Sequence, residues 1–154
     1  MNKSSASNKI AGLVNSWKQT LHELPEEVLN SKKNHQNRTI KQIIGHLVDS
    51  ASNNHQRIVR LQYNPQLDFP DYRQDNDRWI ALQKYQDKNW ERLVQLWYFF
   101  NLHIAWIISQ ADDNRATSFW TDYDGTQVSL EQMIDGYYDH LLLHLNEVQE
   151  LINS

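Results

Sequence analysis

His46, in Gly45-His46-Leu47-Val48-Asp49-Ser50, and the pair His140 and His144, in Asp139-His140-Leu141-Leu142-Leu143-His144, are the side chains best suited to chemistry in this chain. Three neutral imidazoles that converge on one point bind a transition metal and leave its other positions for water or substrate. Residues at i and i+4 lie about 40° apart around a helix, so His140 and His144 can reach one ion from adjacent turns. The third ligand then comes from another element. Taken alone, an H-x-x-x-H pair also arises by chance on bundle faces, where a histidine is often just a hydrogen-bonded boundary residue.

Apolar periodicity supplies the elements that would position these side chains. Ile10, Leu13, Val14, Trp17, Leu21 and Leu24 recur at three- and four-residue steps, predicting a helix that stops near Pro25. A polar loop follows to Arg38. Thr39-Ile40-Lys41-Gln42 has the form of a capping box and opens a second helix to about Gln62. The linker from about Tyr63 to Asp77, with Pro65 and Pro70, is long for a bundle and suits a crossover or a cover over a site. Arg78 to Ala111 reads as a third helix, broken near Asp87-Lys88-Asn89, with Trp79, Leu82, Trp90, Leu93, Leu96 and Trp97 as core candidates. Its second half, including Phe99, Phe100 and Trp106, is apolar nearly all round and is expected to be central. Phe119 to Thr126 reads as a loop bending at Asp124-Gly125, and Ser129-Leu130-Glu131-Gln132 is a second capping box, opening a C-terminal helix. The chain is thus expected to be a single all-α domain, a four-helix bundle spanning residues 1–154.

Helical angles sort the histidines. Ser50, Asn53 and Arg57 fall within about 40° of His46, forming a polar stripe beside the apolar face, whereas His55 lies on the opposite side. His140 and His144 sit on the edge of the apolar arc of their helix, with Tyr137 and Glu147 in the same sector. His22 and His35 fall near or in a loop, and His103 can be placed either way.

The bulk properties exclude several roles. A formal charge of -4 with no Lys/Arg run lacks the basic excess that a phosphate backbone demands, which argues against nucleic-acid binding. Cysteine is absent, removing disulfides, thiolate ligands and a cysteine nucleophile together and fitting a cytoplasmic protein. The first residues contain no apolar core of a secretion signal. The run from Leu93 to Ile108, broken by Gln95, Asn101 and His103, falls short of the ~20 apolar residues that span a bilayer. Six Trp, seven Tyr and four Phe exceed what a four-helix interior accommodates, which predicts a homodimer.

Taken together, these motifs resemble the DinB/YfiT-like superfamily of four-helix-bundle metalloproteins, and its YfiT branch in particular. The resemblance rests on His46, Asp49, Ser50, Asn53 and Arg57 in the second helix and on Leu102-His103-Ile104-Ala105-Trp106. It also rests on Asp124-Gly125-Thr126-Gln127-Val128-Ser129-Leu130 followed by Tyr137, His140 and His144. It implies an up-down-down-up bundle in which His46, His140 and His144 hold zinc or nickel together with waters. Two positions depart from the family pattern: Arg38-Thr39 stands where Trp-Ser is frequent, and Glu147 where His or Gln is frequent. Glu147 would orient an imidazole from one turn beyond His144, or add a ligand.

Such a site polarises a carbonyl or brings the pKa of bound water to near ~7. Hydrolysis is one outcome, and binding a low-molecular-weight thiol for S-transfer, a chemistry the superfamily resemblance includes, is another. Arg57 could hold a substrate carboxylate and Asn53 orient a water or polar group. The competing expectation is a non-enzymatic, stress-related bundle that binds a metal or a small ligand.

Overall fold

The computed structural model describes residues 1–67 and 73–154. Four long helices carry the fold: α1 (Lys3–His22), α3 (Ile40–Leu61), α5 (Trp90–Ser109) and α6 (Leu130–Asn153). Both capping boxes form. Thr39 accepts from the Gln42 N–H at the start of α3, Ser129 accepts from the Gln132 N–H at the start of α6, and each glutamine reaches back to its cap. Between the long helices lie α2 (Glu26–Ser31), β1 (Gln66–Leu67), α4 (Asn76–Gln83), β2 (Phe119–Thr121) and β3 (Gln127–Ser129).

Hydrogen bonds between helix ends fix the directions. Lys3 Nζ donates to the Ala111 carbonyl just past the end of α5, and Trp90 Nε1, at the start of α5, donates to Leu21 O near the end of α1, so α1 and α5 are antiparallel. The Met1 amino group lies 3.6 Å from Glu131, while Lys32 reaches the Ser154 carbonyl, so α6 runs with α1. Lys41, near the start of α3, donates to Lys88 O just before α5, making α3 and α5 parallel neighbours. The order is therefore up-down-down-up, with α1 diagonal to α3 and α5 diagonal to α6. Parallel neighbours cannot be joined by a short turn, so the chain returns along the bundle between Leu61 and Trp90.

Each helix buries one stripe. Ile10, Val14, Leu21, Ile44, Ile58, Leu61, Trp97, Ile104 and Leu145 are fully buried and form one continuous core. Across the diagonal, Tyr137 Oη donates to Asn101 Oδ1 at 2.6 Å, and the Asn101 amide donates to Trp97 O, so the buried asparagine is satisfied while tying α6 to α5. Gly45 admits the Tyr85 ring onto α3: a Cβ there would sit 2.3 Å from ring carbons. Tyr85 Oη then donates to the buried Asp49 at 2.7 Å, as Gln83 does at 2.9 Å, anchoring the returning segment one turn from His46.

The break expected near Asp87-Lys88-Asn89 divides the predicted third helix into α4 and α5, with a 3-10 turn at Tyr85–Asp87 where Lys84 adopts a left-handed conformation (φ 51°). Other expectations are corrected. Trp79, Leu82 and Leu96 are exposed, at 41, 74 and 43 %, although Leu93 and Trp97 are in the core. Phe99 and Trp106, expected in the interior, are each 61 % exposed. The reason is that α5 sits at a corner of the bundle against α1 and α3, leaving its third face to solvent. The polar loop after Pro25 contains α2, and the expected bend at Asp124-Gly125 is the turn of a β2–β3 hairpin. β1 pairs parallel with β2, completing a three-stranded sheet. Of the linker expected over Tyr63 to Asp77, Pro70 and its neighbours at 68–72 lie outside the described residues.

Candidate metal centre

His46 comes from the second turn of α3, and His140 and His144 from successive turns of α6, which packs antiparallel to it. The ring centroids are 4.7 Å apart for His140 and His144, 4.8 Å for His46 and His144, and 5.8 Å for His46 and His140. One nitrogen from each ring lies within 4.8 Å of the others, within reach of a single ion. Among the described residues this is where three such groups converge.

The surroundings keep His46 and His140 neutral. Burial, reinforced by the neighbouring His144, pushes His46 down to about 3, and burial with the same neighbour pushes His140 down to about 4. Both rings therefore present lone pairs at neutral pH. His144 Nδ1 lies 2.9 Å from Glu147 Oε2. A carboxylate only accepts, so Nδ1 carries the proton and Nε2 is left with its lone pair. Asn34 Nδ2 donates to the same Glu147 oxygen at 3.2 Å, and exposed His35 lies 3.9 Å from the other, so the loop before α3 holds the carboxylate in place. His140 Nδ1 lies 3.5 Å from Ser50 Oγ. His46 Nδ1 is buried and has no hydrogen-bond partner among the described residues.

Beside the cluster opens a cavity of about 380 Å³. His46, Ser50, Asn53, Asn54 and Arg57 of α3 form one wall, His140 contributes from α6, and Arg73, Gln74, Asn76 and Tyr123 close the mouth. Among the described residues its charged lining is Arg57 and Arg73. The Arg57 guanidinium carbon stands 3.9 Å from the ring centroid of Trp120, whose side chain the small sheet buries at the foot of α3. Arg73 lies over Tyr123 at 5.1 Å. Asn53 donates to Gln74 at 2.7 Å, and Gln74 donates to Asn76 at 2.9 Å, so a chain of amides rims the opening.

The structure brings His46, His140, His144, Asn53 and Arg57 together and leaves the other histidines out. His103 is on the outer face of α5, edge-on to His55 at 5.2 Å, and His22 ends α1. Periodicity could not foresee the contributions of Arg73, Gln74, Tyr123 and Trp120, since they come from the crossover and the hairpin. Asn34, which fixes Glu147, carried no signal beyond its place in a polar loop.

No family model matches the chain, and no curated protein does. Among solved structures it is similar to YfiT from Bacillus subtilis, described as "a probable metal-dependent hydrolase with an unusual four-helix bundle topology". The TM-score is 0.84 at 17 % identity, over 97 % of this chain and 85 % of that one. A likeness of this extent across so distant a sequence is a likeness of fold: the chain is an up-down-down-up four-helix bundle with the fold of YfiT.

Proposed function

We propose that this chain is a metal-dependent hydrolase acting on a small anionic substrate, with His46, His140 and His144 as ligands of a divalent ion, zinc or nickel. The observation that carries the reading is the convergence of three imidazoles beside a cavity whose charged lining, among the described residues, is Arg57 and Arg73. The donor set fits such an ion. It offers neutral nitrogens, a buried His46 nitrogen in want of a partner, and a carboxylate that orients His144, as outer partners of metal-bound imidazoles commonly do. When bound there, a divalent ion supplies Lewis acidity for an acyl or phosphoryl oxygen and for water.

The protein residues supply binding and orientation. Arg57, braced on Trp120, presents a planar fork to a carboxylate or phosphate, and Asn53, one turn nearer His46, orients a polar group of the substrate. Arg73, which also lines the cavity, offers a second guanidinium to an anionic group. The hydrolase described for YfiT is consistent with this assignment. The surplus of aromatic side chains adds self-association as a homodimer to the same reading.

Arg57→Lys tests it. The charge remains while the two-pronged geometry does not, so kcat/KM for an anionic ester or amide should fall about 10-fold or more, equivalent to ~1.4 kcal/mol, with metal content unchanged. A neutral substrate should be affected less. Equal activity of Arg57→Lys and parent on every accepted substrate would remove Arg57 from the site. Turnover confined to thiol-plus-electrophile pairs would make the protein an S-transferase using a low-molecular-weight thiol. Metal-loaded protein inert toward esters, amides and thiols alike would make it a binding bundle.

A further inference from the structure

The outer face of α5 is unlike the rest of the surface. Leu96, Phe99, His103 and Trp106 follow one another at steps of three, four and three residues, so they stand in one line along the helix. Phe99 and Trp106 are 61 % exposed and Leu96 43 %. Single exposed apolar residues are ordinary, but a contiguous aromatic line marks an interaction site.

We propose that this line is the homodimer interface, α5 packing antiparallel on α5 of a second copy about a twofold axis level with Asn101. The assignment rests on the homodimer reading above and is independent of the metal. Two features of the face select a second copy. First, the line is self-complementary: reversed about position 101, Leu96 meets Trp106 of the second copy and Phe99 meets its His103, pairing large with small and ring with ring. A three-four step is also the spacing at which two helices pack side by side at about 20°. A twofold contact requires this reciprocity of one patch with itself.

Second, the charges at the two ends match only in the antiparallel sense. Exposed Arg92 stands in the first turn of α5 and exposed Asp112 just beyond its last, and neither forms an ion pair among the described residues. In the antiparallel pair, Arg92 lies within about 3 Å along the axis of the level of Asp112 of the second copy. It also faces that copy's helix C-terminus, where a cation is favoured, whereas within its own helix it occupies the unfavourable end. A parallel pair would set Arg92 against Arg92.

Analytical ultracentrifugation of the full chain, with helical circular dichroism and metal content measured alongside, tests the proposal. The parent should be a dimer at micromolar concentration, and Phe99→Glu or Trp106→Glu should raise the dimer Kd about 30-fold or more, the effect of losing a central interface anchor. Arg92→Asp and Asp112→Arg should each weaken the dimer, and the two combined should restore it, because the swapped pair regains opposite charges. A monomeric parent, a dimer indifferent to Phe99→Glu, or a double variant no tighter than the single ones would each overturn the assignment. Metal content unchanged across the series keeps this result separate from the metal reading.

Discussion

His140→Ala should lose its metal. With one of three imidazoles removed, affinity for zinc should fall by more than the 10- to 100-fold that losing an outer partner of a ligand typically costs, and protein purified without a histidine tag should contain far less than one equivalent. The fold should survive. His140 is only half-buried at the rim of the cavity, while the apolar core beneath it is continuous and the buried Asn101 and Asp49 are hydrogen-bonded. Helical circular dichroism should therefore match that of the parent, and chelation of the parent should leave it equally unchanged, unlike a zinc finger, whose folding energy is its metal. Undiminished metal content in His140→Ala would place the ion elsewhere, and helix loss on chelation would make any metal structural.

Glu147→Gln should weaken metal binding roughly 10- to 100-fold while keeping the side chain's shape. Glu147 accepts hydrogen bonds from His144 Nδ1 at 2.9 Å and from the Asn34 amide at 3.2 Å, so it both orients the ring and selects the tautomer that frees Nε2. Glutamine keeps an acceptor but not the charge. Competition titration of apoprotein against a chromophoric zinc chelator measures the change. An affinity equal to the parent's would leave Glu147 as a loop anchor for Asn34 with no influence on the centre. Little of the effect should be reproduced by His35→Ala, because that ring is exposed and 3.9 Å away.

The helices were legible because their signals are local. Thr39 and Ser129 cap helices through side-chain hydrogen bonds that reach only three residues, and the stripe of His46, Ser50, Asn53 and Arg57 follows from helical angles alone. The placement of His46 against His140 and His144 was legible only through the motif pattern, since contacts between distant helices leave no periodic trace. What escaped was set by tertiary packing. Leu96, Phe99 and Trp106 sit in a segment apolar on all sides, so hydrophobicity could not tell which face α1 and α3 would leave uncovered. Trp120 belongs to a strand of three residues, too short for alternation to register, and Tyr123 to the turn that follows it, so their role emerges only when β2 pairs with β1 from the crossover and with β3. Gly45 is similar: its necessity is visible once the Tyr85 ring lies against it.

Anomalous diffraction from zinc-loaded crystals at the metal edge tests most directly whether three histidines hold one divalent ion. A single peak is expected between His46, His140 and His144, with a ring nitrogen from each at ~2.0–2.2 Å and the cavity side left to water or substrate. A peak bound elsewhere, one lacking any of the three imidazoles, or none at all from zinc-saturated protein would contradict it.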